Sequence, residues 1–143
     1  MSPKAMHDDF RRLFSISKSD LLVAEILLKA ANPGIRQEEI CLHCHAAMEK
    51  ALKAISFLNG YEPPFTHRLS VLFEHIIKNN GKDMLPPNFD INKFSFLDAY
   101  SSVARYEDLL PKNMNQVAQA IFIDVKAIIN EIETINLQSD AHN

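Results

Sequence analysis

A chain of 143 residues that is 47% apolar and 23% charged can bury one continuous core, which excludes a disordered polymer and leaves no need for a second domain. Its net charge of -3 excludes binding of nucleic acid through a broad basic surface, so any phosphate contact has to be local. Residues 1–14 carry Asp8, Asp9, Arg11 and Arg12 and no apolar run, which excludes a secretory signal or membrane span there and makes a cytoplasmic protein the expectation.

The first predicted helix has a stripe of Phe10, Leu13, Phe14, Leu21, Ala24, Leu28 and Ala31 and stops at Asn32-Pro33-Gly34; Ser17 or Ser19 could cap a shorter version. The second runs from about Arg36 to Asn59, with Ile40, Cys44, Ala47, Met48, Ala51, Leu52, Ile55 and Leu58 at three- and four-residue spacing. A connector with Pro63-Pro64 leads to Thr66, the expected N-cap of a third helix whose inward residues are Leu69, Leu72, Phe73, Ile76 and Ile77. Gly34, Gly60 and Gly81 each follow a helical pattern, where a left-handed cap suits glycine.

Residues 82–91 read as a loop, and Phe94, Leu97, Tyr100, Ser101 and Ala104 as a fourth helix that Pro111 ends. The fifth, about Asn115 to Ile135, is the most apolar, with Val117, Ala118, Ile121, Val125, Ile128, Ile132 and Ile135 on one stripe. No strand alternation or repeat occurs. The expected fold is therefore all-α, an antiparallel bundle of about five helices in a single domain over 1–143, with its core at about 10–135 and a frayed tail at 136–143.

Three groups of residues bear on chemistry. Cys41, His43, Cys44 and His45 invite a zinc reading, but one helix cannot converge all four and no second Cys or His pair answers them. A small hydrophobe at Cys44 is the simpler reading, Cys41 beside His45 has no oxyanion hole for a thiol nucleophile, and neither a metal nor a cofactor is expected. Glu49, Lys50 and Lys53 follow on the same helix. Glu49 and Lys53, four apart with acid before base, make either a solvated ion pair or, with His67 and Arg68, a pair of lysines over a groove able to meet phosphate. Last, Tyr100, Arg105 and Tyr106 bring two rings and a guanidinium together, suited to stacking a base and forking a phosphate, unless Arg105 pairs with Glu107 or Asp108.

In order along the chain, these features resemble a known family. Leu42-His43-Cys44-His45-Ala46-Ala47-Met48-Glu49-Lys50-Ala51-Leu52-Lys53 is similar to a helix reading aromatic-His-x-Gln-Gln-Ala-x-Glu-Lys-x-Leu-Lys. Pro63-Pro64 with Thr66-His67-Arg68-Leu69 resembles Pro-x-Thr-His-x-Leu, and Ala104-Arg105-Tyr106 resembles Ala-Arg-Tyr-Pro. The family is HEPN, and the resemblance spans about residues 13–135. It departs at His45 and Ala46, which stand for the paired glutamines, and at Glu107, which stands for the proline.

The resemblance implies a helical bundle, usually dimeric, associated with nucleotides or RNA and often paired with a minimal nucleotidyltransferase. Some members are ribonuclease toxins or their antitoxin-type partners. In the ribonuclease branch an arginine is followed after four to six residues by a histidine, but positions 110 to 112, after Arg105, hold Leu110, Pro111 and Lys112. Arg36 with His43 and Arg68 with His75 match that spacing elsewhere, as chance allows in a chain with five arginines and six histidines.

The expected function is a non-catalytic binding module, a homodimer or partner of a nucleotidyltransferase, meeting nucleotide or RNA through Lys50, Lys53, His67, Arg105 and Tyr106, with His43, Glu49, Thr66 and Tyr100 in support. The alternatives are a metal-independent ribonuclease using Arg105 with His67 or His43, and a purely structural partner of the antitoxin type. No membrane association is expected.

Overall fold

The computed structural model describes residues 2–30, 37–100 and 114–137. Among them are four α-helices, α1 (Pro3–Ala30), α2 (Gln37–Leu58), α3 (Leu69–Lys78) and α4 (Met114–Leu137), three short 3-10 segments and no strand. The all-α expectation is met. None of these helices is long and apolar enough to cross a membrane.

α1 begins earlier than its apolar stripe because the chain supplies a start signal: Pro3 occupies the first helical position and the Ser2 hydroxyl accepts the Ala5 N–H at 3.2 Å. Neither Ser17 nor Ser19 caps a shorter helix. Ser17 is buried in the middle of α1 and its hydroxyl donates to the Ala47 carbonyl of α2 at 2.7 Å. Such an approach needs small residues, and Cys44, Ala47, Ala51 and Ala54 on α2 are all fully buried.

Cross-helix pairs give the directions. Ser17 meets Ala47 while Asp20 lies 3.4 Å from His43, so α1 and α2 are antiparallel. Lys18 pairs with Glu133 at 2.7 Å and Glu25 with Lys126 at 3.1 Å, so α1 and α4 are antiparallel too. α3 is the exception to the antiparallel expectation. Glu49 meets His67, Ser56 meets His75 and Asn59 meets Asn79, so both numbers rise together and α3 runs with α2. The connector of residues 59–68 makes this possible. Ten residues, extended, reach back over the final three turns of α2, about 15 Å, before α3 starts.

The start of α3 differs from expectation in detail. Its N-cap is Arg68, with no side-chain cap of its own, and the Thr66 hydroxyl accepts the Arg68 N–H at 3.1 Å in a local turn. The orphan Leu69 N–H is satisfied instead by Asp98, whose Oδ1 accepts it at 2.9 Å from 29 residues away. Leu69, Leu72 and Ile76 face the core, whereas Ile77 is exposed. At its end Asn80 takes the left-handed conformation (φ 61°) and Gly81 does not (φ -92°). Gly81 is required for space, since a Cβ there would stand 2.8 Å from the Ile76 Cγ2. Gly60, at φ 90°, is the left-handed glycine the sequence leads one to expect.

Residues 82–91 are the expected loop, with 3-10 turns at Lys82–Met84 and Ile91–Lys93. The described part of the fourth predicted helix is not α: Ser95–Tyr100 is 3-10. The buried residues Phe94, Leu97 and Tyr100 are spaced by three, the period at which a 3-10 helix keeps side chains on one face. Fraying does not begin at Asn136, which is buried, ends α4 with Leu137, and donates from Nδ2 to the Met84 carbonyl at 3.0 Å and the Ile132 carbonyl at 2.9 Å. Residues 138–143 lie outside the described residues. The core is continuous from Phe10 and Phe14 through Met48, Leu52 and Ile55 to Leu72, Leu97 and Ile129.

Candidate functional site

The connector's return places the segment before α3 against the middle of α2, and a polar group forms where they meet. Glu49 is its centre. The side chain is only 5% exposed, yet its carboxylate accepts a hydrogen bond from Lys53 Nζ at 2.8 Å, meets His67 Nδ1 at 3.1 Å from each oxygen, and has Lys50 Nζ 3.6 Å away. Burial would raise its pKa, but the hydrogen bonds from Lys53 and His67 and the charge of the two lysines outweigh it, holding the carboxyl below its ordinary 4.5. Glu49 is thus a buried anion that collects three nitrogen groups. It is not half of a solvated pair.

A carboxylate only accepts, so the proton of a neutral His67 ring sits on Nδ1, leaving a lone pair on Nε2. The side chain is 71% exposed, so the ring is oriented on one edge and open to solvent. Its backbone is fixed as well, because the His67 carbonyl accepts a hydrogen bond from His45 Nε2 at 2.9 Å. That bond makes Nε2 the protonated nitrogen of His45. The same nitrogen lies 3.3 Å from Asp98 Oδ1, and His45 Nδ1 lies 3.9 Å from Glu49 Oε1. Burial holds His45 below its ordinary 6.5, despite the opposing pull of Glu49 and Asp98, so the ring is neutral at pH 7.

Of the sequence-predicted residues, the structure brings together Lys50, Lys53, His67 and Glu49. His43 stands on the α1 side of α2, 3.4 Å from Asp20, and Thr66 serves the local turn. Tyr100 is a core residue. It is buried, packs edge-on against Phe96 with centroids 6.3 Å apart, and lines a hollow with Val117 and Ile121 of α4. Arg105 and Tyr106 lie outside the described residues.

His45 and Asp98 belong to the group, although in sequence His45 stands out only as a candidate metal ligand, as a partner of Cys41 and as a departure from the family motif, and Asp98 is not singled out. For His45 a signal existed, the i, i+4 spacing to Glu49; for Asp98, 53 residues from His45, there was none. The neighbouring Cys41 and Cys44 are buried, and burial pushes both thiols up to about 12, so neither supplies a thiolate at neutral pH. Among the described residues no three or more His, Cys, Asp or Glu side chains are arranged to hold a metal ion.

A cavity of about 550 Å³ lies elsewhere, between α1 and α4, lined by Phe10, Phe14, Leu22 and Ile129 among others. None of the predicted residues enters it, and its charged rim is internally paired through Lys18–Glu133 and Glu25–Lys126. The Glu49 group is the better site for a polar ligand, because its buried carboxylate gathers two lysines and an imidazole that retain unused hydrogen-bonding capacity.

Comparison with known proteins agrees with the fold. The HEPN domain model matches residues 10–135. No curated protein and no solved structure matches the chain.

Proposed function

The chain belongs to the HEPN domain family, and from that premise we propose that it is a non-catalytic module that binds nucleotide or RNA phosphate at Lys50, Lys53 and His67. One observation carries the reading: a single buried carboxylate, Glu49, draws two lysines and an imidazole into one place. Each ammonium has three donors, and Lys53 uses one of them on Glu49, so both lysines can still donate to phosphate oxygens. Lys50 and Lys53 stand against Glu49 and Asp98, so the group offers local ammonium donors without a broad positive field, on a chain whose net charge is -3. Arg105 and Tyr106 complete the proposed site from the sequence side, as the fork and the ring that join the lysines on the ligand.

The module acts as a dimer or as the partner of a minimal nucleotidyltransferase. Leu22, Ile26 and Ile123, exposed on α1 and α4, support a protein-facing surface separate from the phosphate site. The test of the binding reading is calorimetric titration with tripolyphosphate of the wild-type chain and of the Lys50→Gln/Lys53→Gln double variant. Binding by the wild type that the double variant loses by tenfold or more is the expected result; equal affinity refutes the assignment.

The Glu49–His67 geometry favours a second reading. A buried carboxylate holding Nδ1–H is the arrangement that orients a histidine for proton transfer, and Nε2 would take the proton of a ribose 2′-hydroxyl. RNA cleavage in excess chelator that His67→Ala abolishes with the fold intact would replace the non-catalytic reading.

A further inference from the structure

Phe65 is fully exposed, with a relative accessibility of 105%. A phenylalanine left in water forgoes about 1.5–3 kcal/mol that burial would supply, so its position calls for a physical reason. The segment that carries it is built to hold it there. Upstream, the Tyr61 N–H donates to the Ser56 carbonyl at 3.0 Å, and Pro63 and Pro64 fix two backbone angles just before the ring. Downstream, the Thr66 hydroxyl accepts the Arg68 N–H, the His67 carbonyl is bound by His45, and the Leu69 N–H is bound by Asp98. Phe65 therefore projects from a loop anchored at both ends, and its ring gives nothing to the core.

Nitrogen donors lie close to it in the chain. His67 is two residues away, with its ring on Glu49, and the same carboxylate holds Lys53 and Lys50. Arg68, also exposed, is three residues away. A free aromatic face two residues from the imidazole that shares Glu49 with Lys50 and Lys53 suits a ligand with a flat π-system attached to phosphate, which is the chemistry of a nucleotide. A partner protein's apolar pocket would equally accept a phenylalanine, but it would have to bury the adjoining lysines and imidazole with it.

We propose that Phe65 is a base-stacking platform, on which the nucleobase of a nucleotide or single-stranded RNA lies while its phosphate meets Lys50, Lys53 and His67. This rests on the phosphate-binding reading and adds the subsite that gives the ligand a base as well as a charge. Stacking is sequence-tolerant, so the platform discriminates between ligands with and without a base, not between bases.

The experiment compares wild-type, Phe65→Ala and Phe65→Trp chains against tripolyphosphate, ATP and octariboadenylate. An exposed side chain can be truncated without unfolding the chain. The expected result is a loss of roughly five- to hundredfold for Phe65→Ala on base-bearing probes, restored by Phe65→Trp, with tripolyphosphate affinity unchanged. A loss on ATP and octariboadenylate alike assigns the platform to single nucleotides; a loss on octariboadenylate alone assigns it to a strand. Either supports the proposal. If tripolyphosphate, ATP and octariboadenylate all bind wild type and Phe65→Ala equally, stacking is refuted and the phosphate reading stands. A fall in oligomeric mass in Phe65→Ala with unchanged octariboadenylate affinity refutes it too, and makes Phe65 a protein contact. Failure of the wild type to bind tripolyphosphate overturns both readings at once.

Discussion

His45 and Glu49 carry opposite burdens within one turn of α2. Glu49 is kept ionised by the cations it gathers, so its contribution to stability is present above its ordinary 4.5 and is lost as pH falls through its lower folded value. His45 is kept neutral by burial. Between its ordinary 6.5 and its lower folded value the unfolded chain holds more protons than the folded one, so stability is whole above 6.5 and declines as pH drops below it. Glutamine, which the family motif has at this position, can donate to the His67 carbonyl without titrating. His45→Gln should therefore flatten the dependence of the urea midpoint on pH between 6.5 and 5 while leaving the fall below 4.5; an unchanged slope would mean that another group sets it. At this scale the sequence was half legible. The Glu49 and Lys53 spacing announced an ion pair, but not that the acid would be buried, because burial depends on a loop that returns from ten residues further on.

Helices were the most legible elements, since apolar stripes and the Gly60 stop are local signals. The misreadings all come from contacts between elements. Thr66 has the residue type of an N-cap, yet α3 is capped by Asp98 from another segment, and a periodic stripe at Phe94, Leu97 and Tyr100 fitted 3-10 geometry once its spacing of three was set against buried neighbours. Asp98 thereby ties three elements, through Leu69 of α3, His45 of α2 and its own 3-10 turn. Asp98→Ala should cost about 1–2 kcal/mol in chemical denaturation, the loss expected for a cap that also serves a buried histidine. It should also weaken phosphate binding by loosening the His67 backbone. A variant with wild-type stability would show that α3 does not depend on the cap.

Seen whole, the molecule separates two surfaces. The lysine-bearing group lies where α2, the connector and the start of α3 meet, while Leu22, Ile26 and Ile123 are exposed apolar residues on the surface of α1 and α4, Leu22 lining a cavity whose rim carries the Lys18–Glu133 and Glu25–Lys126 pairs. Self-association through that surface is the expectation, so Leu22→Arg should reduce the sedimenting mass from two chains to one; an unchanged mass would place the interface elsewhere. The family's fold was legible at this scale because three motifs keep their order, whereas the division of surfaces was not, since neither is contiguous in sequence. The central claim is that Lys50 and Lys53, gathered by Glu49, meet phosphate, and the salt dependence of octariboadenylate binding tests it most directly. Each lysine that meets phosphate adds about 0.7 to the magnitude of the slope of log K against log salt concentration. The account predicts that Lys50→Gln/Lys53→Gln lowers that magnitude by about 1.4. An identical slope in the two chains would contradict it.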